Sequence, residues 1–184
     1  MDKVFTDLVT DIRTVVSRPD HDADLRALLE GSFSSQNEIA DAIAATEEDE
    51  ILLFEDETCS IWSCRFNPDV VMPPHEHKMT VHIAVYRGSE LQVLYRRDPD
   101  QLGHEGNRRV DPHQVLTLSA DAVHAVTSGT DKPSHAIHVY EGPLTTIKRD
   151  LFDWSTGATV DFSMDNFHAM VRARSDVPEL ADSP

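Results

Sequence analysis

Two cysteines in 184 residues, Cys59 and Cys64, are too few for a disulfide framework. They stand five apart in a β-rich run and so point to opposite faces. That argues against a Cys–Cys metal site and reads as two reduced cysteines in or near the core. Positive charge is also scarce: 16 Lys and Arg face 33 Asp and Glu, a net charge of −17. Phosphate binding needs a positive surface, so nucleic acid and anionic membranes are disfavoured as partners. Aromatics make up only 7% of the chain, and none marks a base-stacking platform. No apolar stretch approaches the length of a membrane span. The start, MDKVFTDLVTDIR, alternates charged and apolar residues and lacks the unbroken apolar core of a signal peptide. The expected location is the cytoplasm.

What is present is the balance of a soluble globular protein, 40% apolar and 27% charged, long enough for one domain with a real core. Residues 1–48 read as helical. Phe5, Leu8, Val9, Ile12, Val15 and Val16 form one apolar stripe, and Pro19 ends that helix. Leu25, Leu28 and Leu29 suggest a second helix. Ser35 with Glu38 reads as a capping box that opens a third through Ile39, Ala42 and Ile43. From about residue 49 the texture changes to short β-rich runs: ILLFED, CSIWSCRF, TVHIAVYRG, ELQVLYRR, QVLTLS, AVHAVTSG and HAIHVYEG. Regular runs with turn signals indicate a sandwich or barrel, so the chain reads as mainly β, with a helical segment (1–48) packed on a barrel (49–184). Gly88-Ser89 reads as a tight hairpin. The polar stretch from Asp98 to Pro112 reads as a loop. Beyond Asp161 a further strand or short helix is expected.

The ten histidines are unevenly placed. His75 and His77, two apart, face the same side of a strand, directly after Pro73-Pro74. His124 lies in a distant β-run that a jelly roll brings across the barrel mouth. Three neutral imidazoles around one ion would leave positions open for substrate. Imidazole suits iron, copper, nickel and zinc, so the donors alone do not name the metal. His82 faces away by simple alternation, although a bulge would turn it inward as a fourth ligand. His21, His104, His113, His135 and His168 read as surface residues.

The segment PPHEHKMTVHIAVYRGSE resembles the first cupin motif and HAVTSG, with His124, the second. Over residues 50–150 the chain is most similar to the cysteine dioxygenase-like branch, the thiol dioxygenases. The resemblance implies a jelly-roll (double-stranded β-helix) barrel in which His75, His77 and His124 bind Fe(II), with Ni, Mn or Zn as other divalent candidates. The carboxylate ligand of most cupins is missing, because its slot falls at Val81. HAIHVYEGPL is similar to the branch's Ser-x-His-x-Tyr segment, with Ala136 in place of the serine. The resemblance makes His138 and Tyr140 the catalytic pair that orients substrate and oxygen. Where the animal-type enzymes carry a carboxylate-gripping arginine, the stretch Ile51 to Glu57 has none. By strand position Arg65, Arg87 or Arg97 are the substitutes, each otherwise a solvated arginine.

The resulting expectation is a mononuclear non-haem iron dioxygenase that oxidises a small thiol to a sulfinate with O2. Its partners are a small molecule and O2, and the resemblance admits a homodimer. Two alternatives keep the fold: a three-histidine dioxygenase acting on a diketone, and a cupin that binds a metal or small molecule without turnover.

Overall fold

Apolar residues at helical spacing become three N-terminal helices, α1 (Lys3–Val16), α2 (Asp22–Ser32) and α3 (Gln36–Ala44). The computed structural model describes residues 2–98 and 101–180. The Asp2 carboxylate caps α1 by accepting from the Val4 N–H. Ser35 does occupy the N-cap of α3, but its hydroxyl makes no capping bond, so the expected capping box does not close. The preceding residues Phe33–Ser35 form a tight 3₁₀ turn, which leaves Ser35 with non-extended backbone angles.

All seven predicted β-runs are strands. In chain order they and their neighbours are β1 (Glu50–Glu55), β2 (Ser60–Cys64), β3 (Val70–Glu76), β4 (Val81–Arg87), β5 (Glu90–Asp98), β6 (Gln101–Val110), β7 (Gln114–Leu118), β8 (Val123–Ser128), β9 (His135–Tyr140), β10 (Asp150–Phe152), β11 (Thr159–Asp161) and β12 (Arg172–Ala173). A short helix, α4 (Met164–Ala169), lies between the last two. The strands form two sheets. One runs β1-β2-β9-β4-β7; the other runs β11-β10-β3-β8-β5-β6, with β12 on β3. Every pairing is antiparallel.

Alternation along the strands decides what faces what. On β4 and β9, Val81, Ile83, Val85, Ala136 and Tyr140 face the inside of the barrel. Their neighbours Ala84, Tyr86, Ile137 and Val139 face out and join the apolar stripes of α1, α2 and α3 in one buried cluster. The helices therefore pack on the outer face of the first sheet. The two cysteines divide in the same way. Cys59 belongs to the helix-side cluster, Cys64 packs with Phe66 and Val126, and both are free thiols. No helix among the described residues is long and apolar enough to cross a membrane.

Two expectations change. The stretch from Asp98 to Pro112 is not a loop: β6 pairs along β5 from Glu90↔Val110 to Asp98↔Gln101, and positions 99 and 100 lie outside the described residues. Its polar residues fit because β6 is the sheet's edge and largely exposed. Gly88-Ser89 is not a hairpin. It carries the chain from one sheet to the other, since β4 pairs with β7 and β9 and β5 with β6 and β8. Gly88 has φ +68°, and a side chain there would meet the Pro133 carbonyl oxygen at 2.7 Å, so glycine is required.

Candidate metal centre

β3 and β8 lie side by side with His75 opposite His124, and His77 follows directly after β3. The three rings converge inside the barrel, with centroids 4.4–4.9 Å apart. Nε2 of His77 lies 3.0 Å from Nε2 of His75 and 3.4 Å from Nε2 of His124. Metal–nitrogen bonds of ~2.0–2.1 Å place neighbouring ligands roughly 2.9–3.4 Å apart, so the spacing fits one ion held by all three nitrogens. The tautomers agree. The Nδ1–H of His75 donates to the Pro73 backbone carbonyl at 2.8 Å, and that of His124 to the Gln92 side-chain oxygen Oε1 at 2.6 Å, which leaves each Nε2 with its lone pair free. Burial pushes His75 down to about 3 and His77 and His124 well below the usual histidine range. The three are thus neutral imidazoles, the protonation state that a metal requires.

Behind the histidines runs a buried polar chain. Gln92, which holds His124, donates its amide to Glu90 at 2.9 Å. Glu90, fully buried, accepts from Nε2 of His138 at 3.1 Å. Nδ1 of His138 meets the Tyr140 hydroxyl at 3.3 Å, and the Tyr140 ring stands edge-on to His77 at 4.8 Å. His124 at one end is thereby connected to the Tyr140 hydroxyl at the other. Burial raises Tyr140 well above the ordinary phenol value, so its hydroxyl keeps its proton. As strand alternation requires, His138 and Tyr140 share the inward face of β9 with Ala136.

A narrow cavity of about 50 Å³ opens beside His75 and His77, with room for roughly three or four water molecules. Its wall includes Tyr140, Trp62, Cys64, Leu144 and two charged residues, Glu50 and Arg149. Burial raises the Glu50 carboxyl above its normal value and lowers the Arg149 guanidinium to about 10. Arg149 stacks over the Phe162 ring. Phe167 of α4 closes the same side, edge-on to His75 at 5.6 Å. The indole N–H of Trp62 is buried without a hydrogen-bond partner among the described residues.

The arginines expected to grip substrate lie elsewhere. Arg65 pairs with Asp49 at 2.6 Å and donates to the Ala44 and Thr46 carbonyls, fastening the end of α3 to the sheet. Arg87 pairs with Asp41 of α3 at 2.7 Å. Arg97 reaches Glu76 at 3.4 Å and lies over the Phe152 ring. Each sits at a strand end or on an outer face, where its charge meets a carboxylate rather than the cavity. The cavity arginine, Arg149, follows β9 in an irregular stretch that strand reasoning does not reach. His82 faces outward beneath the helices, with Nε2 3.0 Å from Glu141, and is no fourth ligand; the Val81 slot beside it is filled by a buried apolar side chain. Glu90 and Gln92 were missed because charged and amide residues in a strand read as exposed. The signal that could have found them is their i, i+2 spacing among the apolar residues Leu91, Val93 and Leu94 in the first half of β5.

No protein-family model matches the chain. Among solved structures, a Bacillus halodurans protein aligns with 57% of this chain and 78% of its own at 14% identity, TM-score 0.50. A conserved double-stranded β-helix protein of Klebsiella pneumoniae aligns with 54% of this chain and 76% of its own at 13% identity, TM-score 0.42. A structure of DMSP lyases matches at 21% identity, TM-score 0.38, over 50% of this chain and 42% of that one. The similarity is one of fold, and further neighbours are cupin-superfamily proteins. The chain itself is mainly β, two antiparallel sheets that enclose a buried three-histidine group, and its neighbours include proteins of double-stranded β-helix fold.

Proposed function

We propose that this protein is a mononuclear non-haem iron dioxygenase that converts a small carboxylate-bearing thiol to its sulfinate, adding both atoms of O2 to sulfur. The observation that carries the reading is the convergence of three neutral imidazoles beside a cavity that also presents Tyr140 and Arg149. Bound by His75, His77 and His124, ferrous iron would supply the redox chemistry and the Lewis acidity that acidifies a thiol.

The chain's own residues divide the remaining tasks. Arg149 offers a planar, fixed cation to the substrate carboxylate. Tyr140, held by His138 and behind it by Glu90, presents a protonated hydroxyl to the reacting end of the substrate. The three histidines give no carboxylate ligand, which leaves the centre without a protein anion and suits an anionic thiolate. Phe162, Phe167 and Leu144 narrow the cavity and keep bulk water away from it. The small volume supports a short substrate. The charged Glu50–Arg149 wall favours a polar, ionised molecule over a neutral diketone, and open positions on such a centre favour turnover over simple binding.

Oxygen uptake by the iron-loaded protein tests this reading across short mercapto-acids, aminothiols and diketones. The expected result is uptake with a mercapto-acid and formation of one sulfinate per O2. Uptake with a diketone alone, or with none of the three, overturns it.

A further inference from the structure

Outside the barrel, where the turn between α1 and α2 meets β4 and the end of β9, a second group of metal-binding side chains comes together. His21, Asp22 and Glu141 hold their ligand atoms within 4.8 Å of one another. Beside them His82 hydrogen-bonds through Nε2, at 3.0 Å, to the Glu141 carboxylate oxygen that Nε2 of His21 approaches at 3.5 Å. Both rings are anchored through their other nitrogen. Nδ1 of His21 donates to the Arg18 carbonyl at 2.8 Å, and Nδ1 of His82 meets the Thr117 hydroxyl at 3.1 Å. Arg26, the nearest cation on α2, is committed to that hydroxyl and to the Val115 carbonyl.

For His21 the consequence is specific. A carbonyl only accepts, so Nδ1 carries a ring proton, and Nε2 is the nitrogen turned toward the Glu141 carboxylate. That nitrogen is buried and has no hydrogen-bond partner among the described residues. A cation between that nitrogen and the carboxylate 3.5 Å away, either a proton or a metal ion, satisfies both. Anchoring a ring through a backbone carbonyl while its other nitrogen faces a carboxylate is the arrangement that orients histidine ligands at metal sites. The His21–Glu141 separation of 3.5 Å is close to the ~3.4 Å edge of a tetrahedron with bonds of ~2.0–2.1 Å.

We propose that His21, Asp22 and Glu141 form a second divalent-metal site selective for a zinc-like ion, with His82 hydrogen-bonded to Glu141 beside it. His82 is buried, while His21 and Glu141 are about a quarter exposed, so an ion can enter from solvent. The site ties the N-terminal helices to the residue that follows Tyr140, and so fastens the helical layer to the strand bearing His138. It does not depend on the dioxygenase reading.

The test is zinc stoichiometry of the chelator-stripped full-length protein after zinc addition and desalting, by elemental mass spectrometry. The parent is expected to hold two zinc ions per chain, the His75→Ala/His77→Ala variant one, and that variant with Glu141→Gln none. His21→Gln, at a partly exposed corner outside the hydrophobic clusters, should weaken the second equivalent at least tenfold. Glu141→Gln in the parent should remove one ion and leave the barrel ion in place, so failure of either site reads separately. A His75→Ala/His77→Ala protein that binds no zinc, or one whose remaining zinc is indifferent to both Glu141→Gln and His21→Gln, overturns the proposal. An imidazolium at His21, balancing Glu141 with a proton instead of a metal, would give that result.

Discussion

The Glu90 carboxylate and the His138 imidazole meet at 3.1 Å inside the barrel, where neither touches solvent appreciably. A buried carboxylate is costly unless its oxygens are occupied, and here Gln92 and His138 occupy them. The same contact fixes His138, which holds Tyr140, while Gln92 fixes His124. Glu90 is thus a positioning residue for both ends of the site. Glu90→Gln keeps the shape and removes the charge. It should lower kcat by ~10–100-fold, the usual effect of losing such a supporting partner, with a smaller change in KM. Steady-state oxygen uptake reads both, and an unchanged kcat would remove Glu90 from the account.

Arg149 carries the prediction about substrate. A charge-assisted hydrogen bond to a carboxylate is worth ~1.5–3 kcal/mol, so Arg149→Gln should raise KM for a mercapto-acid by roughly 10–100-fold. For a thiol without a carboxylate the same substitution should change little. Comparing kcat/KM for the two thiols in parent and variant measures the difference. Equal losses for both would show that Arg149 only shapes the cavity.

Acid sensitivity follows from the histidines. Burial holds His75 at about 3 in the folded protein, with His77 and His124 also far below 6.5, the value expected in the unfolded chain. Below pH 6.5 the unfolded state therefore binds protons that the folded state refuses, and stability falls as pH falls. The loss approaches about 1.4 kcal/mol per pH unit for each histidine. Denaturant unfolding of the metal-free protein at pH 6.5 and pH 5 should show a steeper loss in the parent than in His75→Ala/His77→Ala. Identical slopes would mean that these imidazoles are not buried and neutral.

How much of this was legible beforehand varies with the physics of each element. The three imidazoles could be read because HxH on a strand puts both rings on one face, and the same rule placed His138 with Tyr140 and turned His82 outward. The helices could be read from their apolar stripes. β6 could not, because an exposed edge strand needs no apolar residues, and its glycines and arginines look like a loop. Gly88-Ser89 misled because a positive-φ glycine serves a crossover between sheets as well as it serves a hairpin. Ala136 stands where the resembling segment has a serine. The partner of His138 is instead Glu90, 48 residues away, a pairing that only the barrel's closure creates. Arg149 lies outside any strand, so no register argument pointed to it.

The central claim is that His75, His77 and His124 bind iron, and iron content measures it directly. The protein is to be produced with ferrous iron supplied and analysed by elemental mass spectrometry beside His75→Ala/His77→Ala. The account predicts close to one iron per chain in the parent and almost none in the variant. Iron at equal levels in both, or absent from both, would contradict it.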